Sequence, residues 1–382
     1  MISQELHQRF IRQFNTAPFI VRSPGRINLL GEHTDYNEGF VLPAAINFFA
    51  HVAVSKRNDN QVSLYSVEFD EKIEASIHNL QPVSRWSDYI LGVVDQLIKH
   101  RFPLSGFNLM LTSDIPIGAG LSSSAAVECA TAVALNVLFG LGITKLDLAL
   151  MAQRAEHAFA GTQCGIMDQF ASLFGKPNNL IRLDCRTLHY QYIPFDFPDV
   201  RIVLFDSGVK HALASSEYNT RRKECEAGVE RIKEKYPAVT SLRDATLSMI
   251  DECLMNESVL YKRCRYVVEE NTRLINACDD LAMGNIGSFG KKMKETHAGL
   301  SGLYEVSCPE LDFLVDQVSD DPHVYGARMM GGGFGGCTIN LMKAGQAEEI
   351  TQRVASAYHK ATGKMLAVYP VEVKEGTTVV QR

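Results

Sequence analysis

Short apolar runs alternating with turn residues mark the first third of the chain. Residues 19–22, 40–45, 50–55, 61–66 and 107–112 read as strands bounded by Gly, Pro, Asn and Asp. Ahead of them Leu6, Phe10, Ile11 and Phe14 recur at helical spacing among Gln, Glu and Arg, which predicts an amphipathic helix over 1–14. The period then changes. Residues 123–138 carry a nearly continuous apolar run that suits a helix buried beneath a sheet, and 145–159 form a second helix. Strand character returns over 179–183, 188–193 and 201–206, punctuated by Pro and Asp. Residues 217–316 are mostly helical, and 337–341, 347–361 and 367–373 give strand, helix, strand.

At 382 residues the chain exceeds the usual size of one core, so two domains with a cleft between them are expected, divided at 1–180 and 181–382. Clefts of that kind favour small ligands. Hydrophobic residues at 46% and charged residues at 21% describe an ordinary globular protein. A net charge of -6 offers no global attraction for nucleic acid or an acidic membrane, so an anionic substrate must be held by local groups. Nine cysteines without a CxxC pair point to reduced thiols in a cytoplasmic protein. The apolar stretch 130–143 is too short to span a bilayer, and 1–14 lacks the apolar core of a signal peptide.

Chemistry concentrates in three segments. Pro24-Gly25-Arg26-Ile27-Asn28-Leu29-Leu30-Gly31-Glu32-His33-Thr34-Asp35-Tyr36 sets an arginine, two carboxylates and a histidine between glycines. Recognition of a polyhydroxylated ligand needs such acceptors on a short rigid backbone, with an arginine for developing negative charge. After the strand ending at 112 comes Pro116-Ile117-Gly118-Ala119-Gly120-Leu121-Ser122-Ser123-Ser124-Ala125, leading into a helix. Strand, glycine turn and helix start cradle phosphate, because the first helical N–H groups are unpaired and lie at the positive dipole end. The serines can cap the helix or touch an oxygen or a metal. The loop lacks the Gly-Lys-Ser/Thr of a Walker motif and the third glycine of a dinucleotide fingerprint. Further on, residues 155–169 place Glu156 and Asp168 beside a glycine-rich turn, where one could hold Mg²⁺ and the other face a hydroxyl.

Together these segments resemble the GHMP small-molecule kinases and, within them, the galactose-phosphorylating branch. The first matches the signature GRxNLxGEHxDY through Gly25, Arg26, Asn28, Leu29, Gly31, Glu32, His33, Asp35 and Tyr36. The second is similar to the family's ATP loop, and Met330-Gly331-Gly332-Gly333-Phe334-Gly335-Gly336-Cys337 to its C-terminal glycine motif. The resemblance implies a two-domain α/β (α+β) fold: an N-terminal mixed sheet with helices, a C-terminal ferredoxin-like domain and an active site in the cleft. It implies that Gly118, Ala119, Gly120, Leu121, Ser122, Ser123 and Ser124 bind the ATP phosphates, with Trp86 near the adenine. Ser124 and Glu156 would coordinate Mg²⁺. Glu32, His33, Thr34 and Asp35 would hold galactose hydroxyls, with Gly165, Asp168 and Tyr218 completing the pocket. Arg26 and Asp168 would flank the reacting oxygen.

The implied reaction moves the γ-phosphoryl of ATP to the C1 hydroxyl of α-D-galactose, giving galactose 1-phosphate and ADP for galactose catabolism. D-galactose and ATP are the expected partners, with neither nucleic acid nor membrane, and the expected state is a monomer. An N-acetylgalactosamine or arabinose kinase keeps the chemistry and changes the sugar; a non-catalytic galactose sensor keeps binding and loses transfer.

Overall fold

The computed structural model describes residues 2–209 and 214–381. Its strands are β1 (Phe19–Asn28), β2 (Phe40–Val41), β3 (Pro43–Lys56), β4 (Gln61–Ser66), β5 (Glu71–Ser76), β6 (Phe107–Ser113), β7 (Asn179–Asp184), β8 (Tyr190–Pro194), β9 (Val200–Asp206), β10 (Val324–Met329), β11 (Cys337–Lys343), β12 (Ala367–Val371) and β13 (Thr378–Gln381). Its helices are α1 (Ile2–Phe14), α2 (Asp88–Lys99), α3 (Ser123–Phe139), α4 (Lys145–Ala155), α5 (Met167–Phe174), α6 (Ala214–Lys235), α7 (Leu247–Leu254), α8 (Ser258–Ala282), α9 (Ile286–Gly302), α10 (Pro309–Ser319) and α11 (Ala347–Thr362).

A six-stranded sheet, β13-β1-β3-β6-β4-β5, forms the first unit. It is mixed, since β4 and β6 pair in parallel and its other neighbours antiparallel. A parallel pair needs a crossover, and β5 with α2 lies in that connection. α1 buries Leu6 and Phe10 against Ile20, Ala53 and Met110 and leaves Ile11 exposed. On the apolar run expected of it, α3 is buried from Ala125 through Ala132, with Glu128 and Thr131 enclosed among the alanines.

The second sheet, β10-β11-β9-β12, is antiparallel throughout. With β9 as first strand and α11 crossing from β11 to β12, its order is ferredoxin-like, with helices α6 to α10 between β9 and β10. Along β9 successive side chains face opposite ways. Ile202 and Leu204 join the large core shared with the first sheet, while Val203 and Phe205 pack with Leu314, Val354 and Tyr358 of α10 and α11. Both faces are thus covered. A three-stranded sheet, β2-β7-β8, is separate from both. The division expected between 180 and 181 falls inside β7; sheet membership changes instead between β8 and β9, and β13 carries the chain back to the first sheet.

Three local expectations are corrected. Pro24 and Gly25 do not end β1, because the ladder shifts register between Pro24 and Arg26 and so accommodates the missing N–H. The strands expected at 40–45 and 50–55 are a two-residue β2 and one long β3. The helix expected through 159 is α-helical only to Ala155 and continues as a π-turn over Glu156–Ala160, closed by Gly161 N–H donating to Glu156 O at 3.0 Å. All nine cysteines are free thiols, and among the described residues no helix is long and apolar enough to cross a membrane.

Candidate active site

β1 delivers Arg26 and Asn28 into the interior, and the chain then turns sharply at Gly31. A side chain there would meet Phe40 O at 2.4 Å and Leu274 Cδ1 at 2.8 Å, with φ at +89°, so only glycine fits. Gly31 N–H donates to Glu270 Oε1 at 2.8 Å, and Tyr266 OH donates to Glu32 O at 3.1 Å, bolting the turn to α8. On the other side stands Arg328, fully buried at the end of β10. Its guanidinium donates to Leu29 O at 2.8 Å, Met329 O at 2.6 Å, Asn28 O and Glu32 Oε1 at 3.1 Å. Glu32 Oε1 also accepts Gly331 N–H at 2.8 Å. Burial would raise the Glu32 carboxyl, but Arg328, Arg26 and that N–H outweigh it and hold the group below its ordinary value.

Arg26 and Asp168 meet as a two-point fork. Arg26 Nε donates to Asp168 Oδ1 at 2.8 Å and Nη2 to Oδ2 at 3.0 Å, while Nη1 donates to Gly120 O at 2.6 Å. Ser122 Oγ, from the glycine loop, donates to Asp168 Oδ2. Three donors fix this carboxylate and leave an acceptor position on Oδ1. Burial would lower the Arg26 guanidinium; the charges of Asp168, Glu32 and Asp35 overcome it and hold it above its ordinary value. Two segments read separately in the sequence, at 26 and 116–124, are therefore tied to one carboxylate on α5.

Beside the fork opens a cavity of 270 Å³ whose walls include Glu32, His33, Asp35, Glu156, Asp168 and Tyr218. Asp35 Oδ1 accepts the Tyr36 N–H at 2.9 Å. Burial, with the Asp168 charge adding to it, pushes the Asp35 carboxyl up to about 7. Gly165 backs directly on this carboxylate: an added Cβ would lie 1.9 Å from Asp35 Oδ2. His33, at φ +61°, faces Gly332 O with Nε2 at 3.2 Å and Tyr36 OH with Nδ1 at 2.8 Å. A carbonyl only accepts, so Nε2 carries the proton and Nδ1 accepts from Tyr36. The order propagates: Tyr304 OH then donates to Tyr36 at 2.8 Å and the Cys225 thiol to Tyr304 at 3.1 Å. Burial pushes the His33 imidazole down to about 4, so it stays neutral.

The glycine loop turns at Gly118, Gly120 and Ser122, all with positive φ, and α3 begins at Ser123. Ser122 makes no side-chain cap; its hydroxyl is spent on Asp168. Opposite lies the second glycine loop, where a Cβ on Gly331 would sit 3.6 Å from Gly120 O and one on Gly336 3.6 Å from Ala119 O, so the loops are adjoining walls. Ser124 Oγ donates to Glu156 Oε1 at 3.2 Å. Glu156 heads the π-turn, a distortion frequent at functional sites. Burial and the Asp168 charge push its carboxyl up to about 7.

Most of the expected residues therefore converge on one place, with corrections. Thr34 does not line the cavity: it is fully buried, its Oγ1 lying 2.8 Å from Gly31 O and 2.5 Å from Phe40 O, where it locks the turn. Glu32 and His33 line the cavity, yet Glu32 Oε1 and both His33 nitrogens already have protein partners. Tyr218 rises from α6, its ring 5.2 Å from His33 and 5.3 Å from Tyr36. Trp86 precedes α2 and donates its indole N–H to Glu71 Oε2 at 2.7 Å. Sequence reading passed over Arg328, Tyr304, Glu270 and Gln169. For Arg328 one signal existed, an arginine three residues ahead of the glycine-rich run 331–336.

A glycine cradle at a helix start, facing a second glycine loop across an arginine-forked aspartate on this pair of sheets, defines the class of GHMP small-molecule kinases. The models of the GHMP kinases N terminal domain and GHMP kinases C terminal match residues 88–176 and 274–360, and the galactokinase galactose-binding signature matches 8–56. A galactokinase of Roseiflexus sp. (strain RS-1) is 41% identical over 378 residues, covering 97% of this chain and 96% of its own. One of Thermotoga maritima is 41% identical over 356 residues, covering 93% and 98%. A crystal structure of Lactococcus lactis galactokinase complexed with galactose superposes with a TM-score of 0.96 at 34% identity, covering 100% of both chains. The chain belongs to the galactokinase family.

Proposed function

We propose that this chain is an ATP-dependent kinase that phosphorylates the C1 hydroxyl of α-D-galactose, releasing α-D-galactose 1-phosphate and ADP. The observation that carries the reading is the Arg26–Asp168 fork, which touches the glycine loop through Gly120 O and Ser122 Oγ and borders the cavity holding Asp35. One carboxylate thus sits where a phosphate cradle and a polyol pocket meet. The substrate named for the structural relative, galactose, suits a cavity walled by carboxylates and a tyrosine.

In this reading Gly118 to Ser124 receive the ATP phosphates at the start of α3, where helical N–H groups lack intrahelical partners, and Trp86 offers its ring to the adenine. Asp35, the backbone of Gly165, and Tyr218 take sugar hydroxyls, while Glu32 and His33 shape the wall. Asp168 Oδ1 accepts the hydrogen of the C1 hydroxyl, orienting its oxygen toward the γ-phosphorus, and takes the proton as the new P–O bond forms. Arg26 keeps Asp168 in place and adds positive charge beside the transferring phosphoryl group, where stabilisation matters most.

Ser124 and Glu156 fit Mg²⁺. Both offer hard oxygen ligands, and the buried Glu156 carboxylate has hydroxyl, thiol and amide partners but no cationic one among the described residues. Bound there, Mg²⁺ would neutralise phosphate oxygens during transfer. The relatives' names give no weight to a GalNAc or arabinose kinase or to a sensor. A monomer working in the cytoplasm completes the proposal.

The test is a panel of sugars with the purified protein and MgATP, following ADP release and the phosphorylated carbon by ³¹P NMR. Galactose should give the highest kcat/KM and a C1 phosphate. A higher kcat/KM for another sugar would displace the substrate, and binding of galactose and ATP without ADP release would displace the enzyme.

A further inference from the structure

Behind Ser124 and Glu156 lies a carboxylate that the mechanism above does not use. Glu128 stands one turn after Ser124 on α3 and is fully buried. Among the described residues it forms no ion pair, and its Oε1 has no hydrogen-bond partner. Its Oε2 accepts from Gln169 Nε2 at 3.1 Å, and the same nitrogen donates to Glu156 Oε2 at 2.8 Å. An amide nitrogen carries two hydrogens, so Gln169 spends both on two buried carboxylates. The Gln169 side-chain oxygen, Oε1, is itself buried and unpartnered.

Burying a carboxyl group with one oxygen unsatisfied is costly, and an apolar side chain of like volume would fill the space without that penalty. The arrangement makes sense where the orientation of Glu156 matters. With Gln169 holding Oε2, the other oxygen of Glu156 is turned to Ser124. Gln169 also follows Asp168 in the first turn of α5, so the bridge ties Glu156 to the helix that presents the forked aspartate.

We propose that Glu128 and Gln169 are a pair of positioning residues: Glu128 anchors the Gln169 amide, which fixes the Glu156 carboxylate so that it and Ser124 present their oxygens to a divalent cation. The inference rests on the kinase reading. Neither residue touches substrate; both act through Glu156.

The test uses the full chain with a non-hydrolysable ATP analogue and galactose, titrating Mn²⁺ and reading the free ion by EPR. Gln169→Met removes the bridge, Gln169→Asn keeps polarity but is one carbon short, and Glu128→Gln keeps an acceptor. Loss of such an outer partner commonly weakens metal binding about 10- to 100-fold. Both Gln169 variants should raise the Mn²⁺ Kd by about that factor, with the galactose KM within about twofold of wild type, and Glu128→Gln should stay close to wild type. A Mn²⁺ Kd unchanged in the folded Gln169 variants, or a galactose KM rising in step with it, overturns the positioning role while leaving the kinase intact. Wild type that binds no Mn²⁺ with nucleotide overturns the kinase reading itself.

Discussion

Replacing Gly165 with alanine tests how the proposed sugar pocket is held open. The new Cβ would fall 1.9 Å from Asp35 Oδ2 and 2.1 Å from its Cγ, where ordinary contact begins near 3.4 Å. The carboxylate, or the 165 backbone, must then retreat by about 1.5 Å, far beyond what a packed atom gives without moving. Asp35 Oδ1 is tied to the Tyr36 N–H at 2.9 Å, so the carboxylate has little freedom to swing away intact. A hydrogen bond to a charged group contributes roughly 1.5–3 kcal/mol, which corresponds to a loss of about 10- to 150-fold in kcat/KM for the sugar. The glycine loop does not enter this contact, so the KM for ATP should stay within about twofold. The assay is the initial rate of ADP formation against galactose at saturating ATP. Gly302→Ala, whose Cβ meets nothing within 4 Å, is the control. A kcat/KM for galactose within about twofold of wild type, or an equal loss for ATP, would refute the placement of Asp35 against Gly165 as the sugar-holding wall.

Arg26→Lys replaces the fork with a single donor, and kcat should fall on the order of 10²-fold while the fold persists by circular dichroism. Asp168→Asn should lower kcat by about 10²-fold or more at unchanged ATP KM; turnover within a few-fold of wild type would remove Asp168 as proton acceptor. Asp35→Asn probes the raised carboxyl through urea unfolding. With a folded value of about 7 above the ordinary 3.8, stability attributable to Asp35 is full below pH 3.8 and drains away as pH climbs through 7. The asparagine variant should therefore gain on wild type across that window and hold a constant advantage above it. A pH-independent difference would refute the burial argument.

What could be read ahead of the structure was chemistry with local grammar. The 24–36 segment, the serine-rich loop and the carboxylates at 156 and 168 carry their meaning in adjacent residues, and all three meet at one carboxylate. What escaped was defined by distant partners. Arg328 looks like a surface charge until Leu29, Asn28 and Glu32 surround it from nearly three hundred positions away. β5 carries charges at Glu71, Lys72 and Glu74 and so has no clean apolar alternation, yet it closes the sheet edge beside β4. Pro24 reads as a stop because a strand normally needs every N–H, and only the register shift opposite β3 spares this one. Thr34 sits amid residues that line the cavity, and nothing in its neighbours announces that its hydroxyl faces the turn.

The return of β13 bears on how the protein comes into being. β1 pairs with β3 on one flank and β13 on the other, and Ser23 meets Thr377 across 354 positions of chain. While a ribosome is still making the helices, β1 lies with one row of amides and carbonyls bare, a template for any passing strand. The strand that carries Arg26 thus gains its second neighbour only once residues 378–381 have been made.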